Sequence, residues 1–182
     1  MRIISGKFKG RIISAPKGHR THPMSERMRG ALFNSMGDIN GLKVLDAYAG
    51  SGAVGIEAIS RGASFVMFID HDKNAFSTIN SNIKKLNIDN AKVTKANVAS
   101  WSDHNFETLF DIVIADPPYD SINEEHFIKL ARNIKSGGLF VISLPKNNPL
   151  VLPGAFEEQF HKSYADGSIY ILRNMDKVKK LY

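Results

Sequence analysis

Two stretches of the chain carry residue types whose spacing could do chemistry. In Asp46-Ala47-Tyr48-Ala49-Gly50-Ser51-Gly52-Ala53-Val54-Gly55, the three glycines satisfy G-x-G-x-x-G, a turn on which a ligand approaches the backbone closely. Enzymes that bind NAD use the same spacing. Asp46, however, stands shortly before Gly50 at the end of an apolar run, where a carboxylate would repel a pyrophosphate; a cofactor lacking phosphate and carrying a cationic ammonium suits it better. S-adenosyl-L-methionine is such a cofactor. Asp46, Gly50, Ser51 and Gly52 are expected to bind it, together with Asp116 further along the chain. Asp70, at the end of the next apolar run after Gly55, is expected to accept from two ribose hydroxyls, a role that fits either cofactor.

The second stretch is Asp116-Pro117-Pro118-Tyr119. Two prolines forbid helix or sheet ladder, so the chain must project stiffly with its carbonyls available. An exocyclic amine on a purine is a poor nucleophile because its lone pair is delocalised. Accepting its two hydrogens at the Asp116 carboxylate and the Pro117 carbonyl would orient the nitrogen and favour tetrahedral character, while Tyr119 would offer a face on which the base stacks. A sulfonium is already an activated methyl donor, so positioning and electrostatics suffice without a metal or a strong base.

These residues need a frame that brings them to one edge. After Gly41 the sequence alternates strand and helix. Val44–Asp46, Phe65–Asp70, Ala91–Lys95, Phe110–Asp116 and Leu139–Ser143 read as buried strands, and Ala53–Arg61, Asn74–Asn87 and Glu124–Ile134 as amphipathic helices between them. Continuous apolar strands separated by such helices imply a parallel sheet covered on both faces. Glu157–Ser163 and Ser168–Leu172 follow without an intervening helix, so an antiparallel hairpin is expected to finish the sheet. The expected fold is α/β: a Rossmann-like, doubly wound, mostly parallel seven-stranded sheet with a small N-terminal β-hairpin and helix extension. Residues 2–5 and 11–14 supply the hairpin, and an accessory helix over 25–36 is capped by Ser25 and stopped by Gly37. The expected organisation is a basic hairpin arm over 1–24, one catalytic domain over 25–175 and a frayed tail over 176–182.

At 182 residues the chain has room for one domain with its own core. It contains no cysteine, which excludes disulfides, thiolate metal centres and a cysteine nucleophile. Its six histidines, among them His19 and His22, form no His-Glu-x-x-His pattern, and no metal is expected. No G-x-S-x-G elbow suggests a serine hydrolase, and Trp101 reads as a packing anchor in a loop. No apolar leader or long apolar run is present; a cytoplasmic location is expected, with no membrane partner. The formal net charge of +6 is regional: the stretch from Met1 to Gly30 holds eight basic side chains against Glu26 alone, while the rest holds 16 basic and 17 acidic groups. A basic stretch with glycines and Phe8 interleaved points to a polyanion, most simply nucleic acid.

Asp46–Gly55 resembles motif I of the class I S-adenosylmethionine methyltransferases, and Asp116–Tyr119 resembles the Pro-Pro turn of the amino methyltransferases. Met1-Arg2-Ile3-Ile4-Ser5-Gly6-Lys7-Phe8-Lys9-Gly10-Arg11, together with Glu26-Arg27-Met28-Arg29-Gly30-Ala31-Leu32-Phe33-Asn34, resembles the bacterial 16S ribosomal RNA guanine-N2 methyltransferases. The likeness runs from residue 1 to about 174. It implies transfer of a methyl group from S-adenosyl-L-methionine to guanine N2, with small-subunit ribosomal RNA or the assembling 30S subunit as partner. It also implies that Asn97, in place of the family's third-strand acid, meets the adenine. Before the accessory helix the family pattern is Arg-Pro-Thr, then Thr or Ser and an acid; here His22 replaces the arginine and Met24 the threonine, while Ser25 and the helix N-terminus remain able to hold an anion. Other readings of the same residues are a DNA adenine-N6 or glutamine amino methyltransferase, an NAD-dependent oxidoreductase and a non-catalytic RNA-binding module.

Overall fold

The computed structural model describes residues 1–16, 24–146, 148, 155–165 and 167–176. A seven-stranded sheet has the order β3-β2-β1-β4-β5-β7-β6. Its strands are β1 (Lys43–Ala47), β2 (Phe65–Asp70), β3 (Ala91–Lys95), β4 (Phe110–Ala115), β5 (Ile134–Leu144), β6 (Phe156–Tyr164) and β7 (Gly167–Asn174). The first five pair in parallel, and β7 joins β5 and β6 antiparallel. The strand order reverses between β1 and β4, where an open α/β sheet forms a crevice at its carboxyl edge.

The apolar strand runs conceal a period of two. Val44, Val66, Phe68, Ile112, Ile114 and Val141 point into one core, and Leu45, Met67, Ile69, Val113, Phe140 and Ile142 into the other. Helices α1 (Glu26–Met36), α2 (Ala53–Ser60) and α3 (Lys73–Lys85) supply Leu32, Phe33, Ile56 and Ile79 to the first core. Helices α4 (Val98–His104) and α5 (Glu124–Ala131) supply Trp101, Phe127 and Leu130 to the second. Each such side chain is worth about 1.5–3 kcal/mol when fully buried, so both faces of the sheet must be covered. Local chemistry sets the helix starts: the Ser25 side chain accepts the Met28 N–H at 3.3 Å, and Asp72 accepts the Ala75 N–H at 2.8 Å.

Several boundaries differ from expectation. Trp101 lies on α4, a helix absent from the sequence reading because it is too short to show a clear period. There it packs on Phe110, with ring centroids 6.3 Å apart. Helix α5 ends at Ala131, and Ile134 instead opens β5, which continues through Gly137-Gly138 where its register against β4 shifts, Phe110 facing Ile134 but Ile112 facing Leu139. A Cβ on Gly138 would lie 2.8 Å from the Asp111 carbonyl oxygen. Gly138 therefore serves a close strand contact, whereas Gly137, with open space around it, supplies a backbone at φ +74°.

The N-terminal hairpin is reduced to one antiparallel bridge, Arg2 with Ile12, closed by a 3-10 turn at Gly6–Phe8. Residues 1–16 lie against the domain, with Ile3 and Ile13 buried in the first core. A Cβ on Gly6 would fall 1.7 Å from the Ser60 carbonyl oxygen, so only glycine lets the segment seat on the end of α2. Lys17, Gly18, His19, Arg20, His22 and Pro23 of the expected arm lie outside the described residues, as do Asp166 of the expected hairpin turn and the residues beyond Asp176. Among the described residues, no helix is long and apolar enough to cross a membrane, and no group of three His, Asp or Glu side chains is placed to hold a metal.

Candidate active site

A cavity of about 400 Å³ opens at the carboxyl ends of β1, β2 and β4. The glycine turn forms its floor. Gly52, at φ +78°, starts α2 in a left-handed conformation, which glycine adopts without steric cost. A Cβ on Gly55 would sit 2.2 Å from the Phe68 ring and 2.9 Å from Asp46 Oδ2; its absence lets α2 settle onto the sheet and its N–H reach that carboxylate.

Asp46 is buried at the end of β1 and accepts the Gly55 N–H at 2.8 Å. Burial pushes its carboxyl up to about 8; the Gly55 bond opposes the shift, and the charges of Asp116 and Asp70 add to it. An uncompensated carboxylate in this position favours a cation or a proton. Asp70 ends β2, accepting the Gly50 N–H at 2.8 Å on one oxygen and the Asp72 N–H at 2.9 Å on the other. It thereby fixes the glycine turn while lining the cavity.

Asp116, Pro117, Pro118 and Tyr119, just past the end of β4 beside β1, line the wall of the same cavity. Burial raises the Asp116 carboxyl to about 6, against the effect of a hydrogen bond from the Ser143 hydroxyl. The Tyr119 hydroxyl meets the same Ser143 Oγ at 3.0 Å, and the residue remains 40% exposed. The structure thus brings together Asp46, Gly50, Ser51, Asp70, Asp116, Pro117 and Tyr119 around one cavity.

Three expected residues stand back from that wall. Gly52 lies beneath it, against Ile79 and Phe68. Ser25 caps α1. Asn97 caps α4 by accepting the Ala99 and Ser100 N–H groups. Met24, by contrast, is buried in the wall, and Met1 joins it with Sδ 3.1 Å from the Ser51 hydroxyl.

Ser143 carried no sequence signal, being one serine at the end of an apolar strand. Nor did the pairing of Tyr48 with His126, whose side chains meet at 2.8 Å between Oη and Nδ1. Tyr48 holds φ +65°, a conformation that costs a non-glycine residue about 1–2 kcal/mol. The hydroxyl bond and a near-parallel ring contact with His126 hold it in the cavity wall, where burial raises the phenol above its ordinary range and lowers the His126 imidazole.

The conserved hypothetical protein 95 family model matches residues 1–173. Ribosomal RNA small subunit methyltransferase D of Buchnera aphidicola from Acyrthosiphon pisum is 36% identical over 155 residues, spanning 83% of this chain and 81% of its own. The chain belongs to that ribosomal RNA methyltransferase family. A second member, from Buchnera aphidicola of Baizongia pistaciae, is 32% identical over 184 residues, spanning 100% of this chain and 89% of its own. The solved structure of the Escherichia coli protein yhhF is 28% identical with a TM-score of 0.87, covering 97% of this chain and 99% of that one. The family's Rossmann-like architecture is thus shared along nearly the whole chain, including the edge that carries the glycine turn and the Asp116 turn.

Proposed function

We propose that the chain methylates the exocyclic N2 amine of a guanine in small-subunit ribosomal RNA, using S-adenosyl-L-methionine. Family membership supports the coarser reading, an S-adenosylmethionine-dependent ribosomal RNA methyltransferase. The single observation that carries the choice of an amine is that Asp116 and Pro117 line one cavity together with Asp46 and Asp70. The cavity suits the cofactor chemically: it offers carboxylates to a cation and to hydroxyls, an apolar surface from Met1, Met24 and Val54, and neither lysine nor arginine among its described lining residues.

In this reading Asp46 and the Gly50-Ser51-Gly52 turn hold the amino acid portion, and Asp70 holds the ribose. Ser25 and Asn97 act through the helices they cap. Asp116 and the Pro117 carbonyl take the two amine hydrogens, and Tyr119 backs the base. The cofactor supplies a methyl group on a positively charged sulfur: the sulfur–carbon bond breaks as the nitrogen–carbon bond forms, its electron pair staying on sulfur. The nitrogen then gives up one proton, for which the Asp116 carboxylate is the first acceptor. Lys7, Lys9 and Arg11, on the exposed side of the N-terminal segment, meet the RNA phosphates, which favours a nucleic acid over a glutamine side chain. The 30S subunit during assembly is the partner this reading implies.

The test is methyl transfer from labelled S-adenosyl-L-methionine to small-subunit RNA and to 30S particles, followed by nucleoside mass spectrometry. N2-methylguanosine is expected. Label confined to adenine N6 or to protein overturns the proposal.

A further inference from the structure

Strands β4 and β5 run in parallel with Ala115 opposite Ile142 as their last paired residues. One step past that pair stand Asp116, just beyond the end of β4, and Ser143 on β5, so the register brings Ser143 beside the Asp116 that lines the cavity. Ser143 is buried, and a buried hydroxyl must find partners. The Tyr119 hydroxyl, at 3.0 Å, is one; the strand register sets the Asp116 carboxylate beside it as the second, where a serine proton favours the ionised form. A serine carries one proton. If that proton goes to the carboxylate, which can only accept when ionised, then Tyr119 must donate to Ser143, and the chain of bonds has one direction: tyrosine to serine to aspartate.

The packing around Tyr119 enforces this arrangement. A Cβ built on Gly167, the first residue of β7, would lie 2.0 Å from the Tyr119 hydroxyl oxygen and 2.9 Å from the ring carbon bearing it. Gly167 also has φ +152°, a backbone conformation that side chains disfavour. The missing side chain is the space in which the Tyr119 hydroxyl sits while it reaches Ser143.

We propose that Ser143 is the positioning residue of the methyl transfer: it fixes the Asp116 carboxylate toward the amine, and through its second bond ties Tyr119 to the same geometry, with Gly167 keeping that place open. This rests on the amine-methylation reading above. Neither Ser143 nor Gly167 touches the reacting atoms; both act through Asp116 and Tyr119. Among the described residues, the remaining titratable groups of the cavity wall are Asp46, Tyr48, Asp70, His71, Asp120 and the Met1 amino terminus, and the substitutions below leave all of them in place.

Two readouts separate this proposal from the reading it rests on. The first needs no activity: the Asp116 carboxyl is titrated by carbon NMR in the full-length protein without cofactor, Asp116→Asn identifying its signal. Ser143→Ala is expected to move the midpoint up by about one pH unit, since a hydrogen bond to a charged group is of that order, and Ser143→Thr, which keeps the hydroxyl, to return it. The second is the single-turnover rate against pH. The acidic limb in Ser143→Ala is expected to shift upward with the titration, with the plateau rate about tenfold lower and RNA affinity within twofold of wild type. Gly167→Ala is expected to lower the plateau rate in the same way without touching Ser143. If Ser143→Ala does not fold, Ser143→Cys, a weak donor, is expected to give the same directions. An unchanged Asp116 midpoint in the foldable variant overturns the proposal whatever the substrate proves to be. A shifted midpoint with an unchanged rate also overturns it, because the bond then exists without serving the reaction. If N2-methylguanosine never forms while the midpoint shifts, the function reading fails and the bond stands.

Discussion

The side chain of Glu57, in the middle of α2 and fully buried, accepts the backbone N–H of Ser5 at 3.0 Å. Its other oxygen accepts the Ile4 N–H at 2.8 Å, and Arg61 one turn later completes the set with Nε at 2.8 Å. A buried carboxylate thus clamps the N-terminal segment onto the helix that follows the glycine turn. Arg29 is also buried, 3.8 Å from Glu57, and donates to the Arg2 carbonyl.

Removing that carboxylate leaves Arg29 buried without its strongest counter-charge. Breaking a buried pair from one side costs about 3–5 kcal/mol, so Glu57→Ala is expected to lower the melting temperature by many degrees. Glu57→Gln keeps an acceptor for one backbone N–H and is expected to lose less. Equal melting of Glu57→Ala and wild type would mean that the segment is held by its other contacts, the burial of Ile3 and Ile13 and the bonds of Phe8 to Ser60 and of Ser14 to Asn82.

The clamp changes how the basic stretch is to be tested. Residues 1–16 contribute Ile3 and Ile13 to the core and Met1 to the cavity, so deleting them would damage the domain along with any RNA contact. Replacing the exposed Lys7, Lys9 and Arg11 by Gln spares the packing. RNA affinity is expected to fall, and the slope of log affinity against log salt to flatten by about two to three units, near 0.7–0.9 per phosphate contact. S-adenosylhomocysteine affinity is expected to stay within twofold. Filter binding over a salt series checks the first and calorimetry the second. An unaltered slope would make these charges a solvated face.

Asp46 gives the unliganded protein a pH signature. Its carboxyl is raised to about 8 from an unfolded value near 3.9, so the folded state holds the proton more tightly than the unfolded one. The stability contributed by the neutral form is fully present below about pH 4 and is lost as pH rises toward 8. In Asp46→Asn, whose amide oxygen can still accept from Gly55, that part of the slope is expected to vanish. Melting temperatures from pH 4 to 9 with matched slopes for the two proteins would place the proton elsewhere.

Asp70 carries a double duty that separates binding from loop geometry. Asp70→Ala removes the proposed ribose acceptor together with the bonds to Gly50 and Asp72. Hydrogen bonds to a charged group contribute about 1.5–3 kcal/mol, so calorimetry is expected to show S-adenosylhomocysteine binding weakened tenfold or more. Asp70→Asn, which keeps one acceptor oxygen, should lose less. Unchanged affinity in the alanine variant would sink the ribose assignment.

The sheet and the cavity residues on its carboxyl edge were legible in the sequence because strand runs such as Phe65–Asp70 are apolar on both faces and end in acids. What escaped has a physical reason in each case. Helix α4 is too short for a period. Glu57 and Arg29 look like surface charges on amphipathic helices, because their burial is created by the N-terminal segment, distant in sequence, that folds over them. Ser143 gains its partners only from the register of β5 against β4, and Gly167 from the position of Tyr119, which lies far earlier in the chain. Pairings of this kind exist only after the strands are ordered. Asn97 and Ser25 show the converse: a polar residue before a helix reads equally well as a ligand and as a cap, and here both cap.

Asp116 offers the sharpest separation of binding from chemistry. RNA affinity is dominated by phosphate contacts, whereas the proposed role of Asp116 is to orient one amine and receive its proton. Asp116→Ala is therefore expected to cut the single-turnover methylation rate by about a hundredfold or more with RNA affinity within twofold. The carboxyl is raised to about 6 by burial, and only the ionised form accepts both from the amine and from Ser143. The wild-type rate is thus expected to fall as pH drops through about 6. Asp116→Asn keeps an acceptor oxygen that does not titrate, so it should retain part of the activity and lose that acidic limb. Tyr119→Phe keeps the ring for stacking but breaks the bond to Ser143; a loss smaller than that of Tyr119→Ala, yet measurable, is expected. Quench-flow transfer from labelled S-adenosyl-L-methionine between pH 5 and 8.5 measures all of these variants against wild type. Methylation by Asp116→Ala at the wild-type rate would reduce the Asp-Pro-Pro-Tyr turn to a structural element and remove the amine from the proposed reaction.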